Sequence, residues 1–241
     1  MRLLRIASMV IVPIFATALF IFPLKAGEDE EAPERIVFLG DSLTAGYGLD
    51  PEDAYPSLLE EMLRERGRKV EVINAGLSGD TSAGGLRRVD WILRKPVDTF
   101  VLALGANDAL RGQPPDATKK NLRGIIDKVR ARQPQARILL AGMLAPPNMG
   151  EAYTEEFADL YPELAREKGV ERIPFLLEGV AGREALNLPD GIHPNGRGHK
   201  VIARNLLPFF LGLDQGNDGN VAPGNQGNGA EKKSGNGKAA D

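Results

Sequence analysis

Apolar and polar positions along the chain fall into a repeating order. A β-branched and aromatic run at 35–39 reads as a strand. The stretch 52–66 carries Tyr55, Leu58, Leu59, Met62 and Leu63 at helical spacing and stops at Gly67, which reads as an amphipathic helix. The alternation continues with a strand at 70–73 and a helix at 81–94 that has Leu86, Val89, Ile92 and Leu93 on one side. A nearly all-apolar strand at 99–104 and a helix at 116–132, striped by Leu122, Ile125, Ile126 and Val129, come next. A strand at 137–141, a helix at 154–168 ending at Gly169, a weak strand at 172–175 containing Pro174 and a helix at 198–211 complete the pattern. Five strands alternating with five helices predict an α/β fold with a mainly parallel sheet and helices on both faces. Strands covered on both faces need no polar alternation, which accounts for their continuous apolar runs.

Both ends of the chain depart from this pattern. Arg2 and Arg5 precede an apolar run at 6–24, followed by Lys25 and the acidic Glu28, Asp29, Glu30 and Glu31. Residues 1–26 therefore read as a secretory signal or an uncleaved N-terminal anchor, and 27–34 as a linker. Either reading predicts a periplasmic or secreted domain over 35–212. The stretch 213–241 is rich in Gly and Asn and lacks aromatics, the composition of a disordered tail. At 42% hydrophobic and 26% charged residues the chain has an ordinary globular composition. Its net charge of −3 gives no reason to expect nucleic acid as a partner. The absence of cysteine excludes disulfides, thiolate metal sites, a Cys nucleophile and a lipid-modified N-terminal Cys.

In open parallel sheets, ligands bind outside the carboxyl ends of the strands. Four polar, glycine-containing clusters fall there: 40–43 after the first strand, 74–80 after the second, 105–108 after the third and 190–195 before the last helix. The opposite edge carries plain charged turns at 66–69, 94–97 and 132–135. In FLGDSLTAGYG, at 38–48, Ser42 is a helix cap, a phosphate-loop residue or a nucleophile. Gly40 and Gly46 have phosphate-loop spacing, but Tyr47-Gly48 follows instead of Lys-Ser/Thr, so that reading fails. Capping remains open, since Asp41, Ser42 or Thr44 can each cap a helix.

A nucleophile needs a base, and the chain has two histidines, His193 and His199. Asp190 stands three residues before His193, within reach of its Nδ1; His199 has no such partner. Ser57 lies within a helical face, Ser234 in the tail, and Ser78 and Ser82 flank Gly79 in a turn or cap. None sits in Gly-x-Ser-x-Gly. Ser42 is what remains. Acyl transfer also needs donors for an oxyanion. The candidates are the Gly79 N–H, free of side-chain obstruction, the Asn107 side-chain amide and the Ser42 N–H. Asn74 and Asp108 read as supports for these loops. Asp41 reads as structural, because a charge beside the nucleophile opposes the forming oxyanion unless turned away.

The four clusters resemble the SGNH (GDSL) hydrolase superfamily. Gly40-Asp41-Ser42-Leu43 matches its first block, Ser78-Gly79-Asp80 the second, Gly105-x-Asn107-Asp108 the third and Asp190-x-x-His193 the last. The likeness spans about 36–211. Leu110-Arg111-Gly112, Leu144-Ala145-Pro146-Pro147-Asn148 with Tyr153, Tyr161-Pro162 and Pro174-Phe175 look like the bacterial periplasmic thioesterase, lysophospholipase and arylesterase branch. The resemblance implies a flavodoxin-like three-layer sandwich with a five-stranded sheet. It implies Ser42 as nucleophile, His193 as base, Asp190 as its orienter, and Ser42, Gly79 and Asn107 as the oxyanion hole. Leu110, Pro146, Pro147 and Met149 are candidate substrate-binding positions on two loops that match the family only partly.

These readings converge on an exported serine esterase, monomeric, acting without metal or cofactor on aryl or short-to-medium acyl esters, acyl thioesters or lysophospholipids. Three rivals stand beside it. An acetyl-glycan deacetylase uses the same machinery but wants polar walls. A binding protein on this fold would show a broken tetrad. A phosphoesterase would need a basic cluster or metal ligands near Ser42.

Overall fold

The computed structural model describes residues 32–212. The expectations for 1–26, for most of the linker and for the tail at 213–241 lie outside these residues. Five strands, β1 (Glu34–Gly40), β2 (Val70–Gly76), β3 (Thr99–Ala103), β4 (Arg137–Ala141) and β5 (Glu171–Ile173), form one sheet in the order β2-β1-β3-β4-β5. Every pairing is parallel. β1 and β3 are the dry centre: Ile36, Phe38, Leu39 and all of β3 are buried, whereas the edge strand β2 is only half-covered. This is the doubly wound α/β sandwich expected from the alternating pattern.

Between the strands run seven α-helices: α1 (Ser42–Ala45), α2 (Tyr55–Arg64), α3 (Ser82–Ile92), α4 (Ala106–Leu110), α5 (Pro115–Arg132), α6 (Glu151–Lys168) and α7 (Gly196–Phe210). α2 packs on α7, while α3 packs on α5 and α5 on α6. Right-handed crossovers place the first pair on one face of the sheet and the other three helices on the opposite face. The stripe of α5 lands in the core as its spacing predicts, with Leu122, Ile125, Ile126 and Val129 all buried. Among the described residues, no helix is long and apolar enough to cross a membrane.

The differences from the expected pattern have local causes. The helix expected from residue 52 begins at Tyr55, because Pro51–Asp53 forms a separate 3₁₀ turn and Ala54 is extended. β2 runs on to Gly76, three residues past its apolar stretch, since Asn74, Ala75 and Gly76 pair with Phe38, Leu39 and Gly40. β5 ends before Pro174, which has no N–H to give a ladder. α1 and α4 escape periodicity because four or five residues span little more than one turn.

The chain order reverses between β1 and β3: β2 lies to one side of β1, and β3, β4 and β5 follow on the other. The carboxyl ends of these two central strands therefore open onto the crevice where such folds bind ligands. Ser42 follows β1 and Asn107 follows β3.

Candidate active site

Ser42 opens the one-turn helix α1, and Asp41 is its N-cap, accepting from the Leu43 N–H at 3.0 Å. The capping role left open between Asp41, Ser42 and Thr44 thus falls to Asp41, and the Ser42 side chain is free to point elsewhere. Its Oγ lies 3.0 Å from His193 Nε2, and His193 Nδ1 lies 2.7 Å from Asp190 Oδ2. The other Asp190 oxygen accepts the Ile192 and His193 N–H groups, each at 2.9 Å. One carboxylate thus folds its own loop and orients the ring. Those hydrogen bonds, that from the His193 N–H first, hold the Asp190 carboxyl down at about 2. An ionised Asp190 can only accept, so Nδ1 carries the proton and Nε2 is left to receive one from Ser42.

Beside Ser42, neither its own N–H nor that of Gly79 has a hydrogen-bond acceptor among the described residues. Sequence reasoning credits Gly79 with clearing space; the structure gives a different cause. A Cβ there would meet nothing nearer than Arg111 Nη2 at 3.8 Å, but φ is 79°, so the backbone rather than crowding requires glycine. Arg111 Nη2 donates to the Gly79 carbonyl at 2.9 Å. A second arginine secures the same turn: Arg88 Nε donates to Asp80 Oδ2 at 2.6 Å while its Nη2 donates to the Gly40 carbonyl at 2.9 Å. Arg88 had no signal in the sequence, because its two partners stand 8 and 48 positions away.

Asn107 donates from Nδ2 to Asp41 Oδ2 at 3.3 Å, a bond that occupies one of its two amide hydrogens. Asp108 is buried and accepts from the Ser82 N–H at 2.8 Å and the Ser82 hydroxyl at 2.5 Å, tying α4 to the start of α3. Asn74 donates to the Thr44 carbonyl at 2.8 Å and accepts from the Gly76 N–H. Leu110 is exposed at the end of α4, and Pro146, Pro147 and Met149 stand on the loop after β4. The two loops carrying these four side chains are joined by the Tyr153 hydroxyl, which donates to the Gln113 carbonyl at 2.7 Å. Among the described residues, no group of three or more His, Cys, Asp or Glu side chains is placed to hold a metal ion.

Two buried titrating groups back this edge, and they oppose one another. Burial pushes the Asp41 carboxyl up to about 6. Burial pulls His199 down to about 4; its Nδ1 accepts the Tyr55 N–H at 3.0 Å and its ring stacks on Tyr55. Asp41 binds its proton more tightly folded than unfolded, so its contribution is complete below pH 3.8 and is lost as pH rises through about 6. His199 binds its proton less tightly folded, so its contribution is complete above pH 6.5 and is lost as pH falls through about 4. Each swing is worth about 3 kcal/mol, and between pH 4 and 6 they cancel in part. Asp41→Asn keeps the capping acceptor and removes one slope. Its Nδ2 would replace the oxygen that accepts from Asn107, so only the slope is diagnostic: its thermal midpoint is expected to fall more steeply than that of the wild type from pH 7 to 4.5. Parallel curves would refute the opposition.

A model of the GDSL-like lipase/acylhydrolase family matches residues 38–201. The chain is 39% identical over 174 residues to an arylesterase of Vibrio mimicus, an alignment covering 72% of this chain and 86% of that one. It is 40% identical over 173 residues to thioesterase 1/protease 1/lysophospholipase L1 of Escherichia coli K12, covering 71% and 81%. Among solved structures it is similar to AlinE4, an SGNH-hydrolase family esterase, with a TM-score of 0.63 and 40% identity over 75% of this chain and 96% of that one.

Proposed function

Since the chain belongs to the GDSL-like lipase/acylhydrolase family and is a carboxylic ester hydrolase of the arylesterase, thioesterase and lysophospholipase type, we propose that it is exported and works through an acyl-enzyme on Ser42. The observation that carries this reading is the unbroken line Asp190–His193–Ser42, with contacts of 2.7 and 3.0 Å. Ser42 Oγ attacks the acyl carbonyl as Nε2 of His193 takes its proton. The Ser42 and Gly79 N–H groups and the free amide hydrogen of Asn107 receive the negative charge that develops on the carbonyl oxygen. Collapse of the tetrahedral intermediate expels the alcohol or thiol, which takes the proton from His193. Water then enters, loses a proton to His193 and releases the acid by the same steps reversed. The anionic Asp190 offsets the imidazolium in both halves of the cycle.

The surface around Ser42 supports an acyl chain as the group recognised. Besides Tyr47, which lies against His193, and Trp91, the large hydrophobic side chains left exposed among the described residues are Leu77, Leu110, Leu144 and Ile192, all on segments that follow the strands' carboxyl ends. Such a rim suits aryl, medium acyl, thioester and lysophospholipid substrates, and disfavours an acetylated glycan, which needs polar walls. Export is read from the positively charged, apolar leader at 1–26, and a periplasmic or secreted location follows from it.

The test is turnover of p-nitrophenyl esters from acetate to palmitate by the full chain, with mass spectrometry of the quenched enzyme. Turnover is expected to peak beyond acetate, with the acyl mass carried on the peptide that contains Ser42. Turnover of acetate alone would move the substrate assignment to acetyl esters. Ester turnover with no adduct under any quench would remove the acyl-enzyme.

A further inference from the structure

The Gly46-Tyr47-Gly48 turn has no part in the steps above, yet it lies against the histidine. α1 closes at Gly46, whose φ is 76°, and Gly48 follows with φ 78°. Two left-handed residues around Tyr47 double the chain back on itself. A Cβ at Gly46 would come 2.8 Å from Ala54 Cβ, and one at Gly48 2.9 Å from Leu188 Cδ1. The Tyr47 N–H donates at 3.1 Å to the carbonyl of Ser42 itself. The aromatic ring is thereby attached to the nucleophile's own residue. It lies over the His193 imidazole with ring centroids 4.4 Å apart and planes inclined by 36°. Leu188, beside Gly48, belongs to the histidine's loop, and its N–H donates to the His193 carbonyl at 2.7 Å. Tyr47 is 51% exposed, and its hydroxyl has no hydrogen-bond partner among the described residues. The contact therefore belongs to the ring face, not to the hydroxyl.

We propose that Tyr47 is a positioning residue: its ring holds the His193 imidazole toward Ser42 and stabilises the imidazolium formed when Ser42 gives up its proton. The inference rests on the reading of His193 as the base. His193 stands on a loop; Asp190 holds its Nδ1 and Ser42 its Nε2, and the Nε2 contact is the one given up when the Ser42 oxygen is acylated, which leaves Asp190 and the Tyr47 ring to keep the imidazole in place. An aromatic face within about 6 Å of a cation attracts it. The imidazolium arises in acylation and again in deacylation. Loss of the ring therefore lowers kcat whichever step limits turnover, and leaves ground-state binding of a neutral ester alone.

The experiment measures kcat and KM on p-nitrophenyl butyrate for Tyr47→Phe, Tyr47→Leu and His193→Ala, and for Tyr47→Leu in the His193→Ala background, with a thermal midpoint for each. Tyr47→Phe, which keeps the ring, is expected to stay within about twofold of wild type. Tyr47→Leu should lose about three- to thirtyfold in kcat with KM nearly constant, the span of exposed to desolvated cation–π contacts. In the His193→Ala background the same change should cost less than about twofold, because its target is gone. Three outcomes overturn the inference: wild-type kcat in Tyr47→Leu, a rise in KM alone, or an equal kcat loss with and without His193. Full activity of His193→Ala would instead overturn the reading of the base. Tyr47 is exposed, so the leucine variant is expected to fold; should its midpoint collapse, Tyr47→Met supplies the same arm.

Discussion

Ser42→Ala is expected to reduce ester hydrolysis by about three orders of magnitude or more while leaving the fold intact. The substitution removes one oxygen from a residue whose backbone, not its side chain, starts α1; the cap is supplied by Asp41. Stability and activity should therefore separate cleanly, with an unchanged thermal midpoint beside a nearly dead enzyme. Removing the nucleophile should cost about as much as removing the nucleophile and His193 together, because the pair acts as one unit. The Ser42→Ala/His193→Ala double variant measures that directly. A double variant far less active than either single one would mean two independent contributions, and the proton-relay reading would fall. Residual turnover in Ser42→Ala within tenfold of wild type would take the nucleophile away from this serine altogether.

Asn107→Ala is expected to lower kcat by about 10²–10³ with a much smaller change in KM. Its side chain sits at the end of β3, in the crevice between the two central strands, and holds one amide hydrogen on Asp41. On the proposed mechanism the other hydrogen is offered to the carbonyl oxygen as it gains charge, so the contact would strengthen in the transition state and the loss would appear in kcat. A tetrahedral phosphonate or boronate inhibitor should weaken in proportion to kcat/KM, whereas the product acid should bind as before. A loss below tenfold would remove Asn107 from the oxyanion hole. Removing the amide also strips Asp41 of a hydrogen-bond donor, which should push that buried carboxyl higher still. The Asn107→Ala variant should consequently lose stability more steeply than wild type above pH 6.

The order of strands and helices is legible because the long helices show several turns of apolar stripe and the central strands are continuous apolar runs, with Gly or Pro nearby. The same rule explains what is not. α1 and α4, which carry Ser42 and Asn107, are too short to show a period, although the polar clusters marking their place were plain. Ser42, Gly79, Asn107, Asp190 and His193 could be picked out one by one, since each stands at the carboxyl end of a strand or in the loop before the last helix. Their distances could not, because those depend on register: Asn74 and Gly76 extend β2 alongside β1 without any apolar signal. The missing side chain of Gly79 is plain in the sequence, but its positive φ is a backbone property that no composition reveals. Tyr47 stood within the most conspicuous motif of the chain and still gave no hint. An aromatic residue beside glycines in a turn reads as surface until the histidine 146 positions later folds against it. His199 lacked a nearby carboxylate in the sequence; its partner is the Tyr55 N–H, 144 positions away.

The hydrogen bond between Ser42 and His193 joins residues 151 positions apart. Its consequence is one of timing. The strand that leads into Ser42, the loops that carry Gly79 and Asn107 and the first four strands of the sheet lie ahead of residue 142, whereas His193 arrives with the loop that leads into the last described helix. A chain still emerging from a ribosome thus holds Ser42 before it holds His193, and on the proposed mechanism it can do no chemistry until the loop before α7 arrives. The closing contact spans most of the described chain, as does the packing of Phe210 on Phe38, and long-range pairings are slow to form. Hydrolysis regained during refolding should therefore trail the return of sheet and helix signals, which makes the reaction a reporter for the final docking of α7.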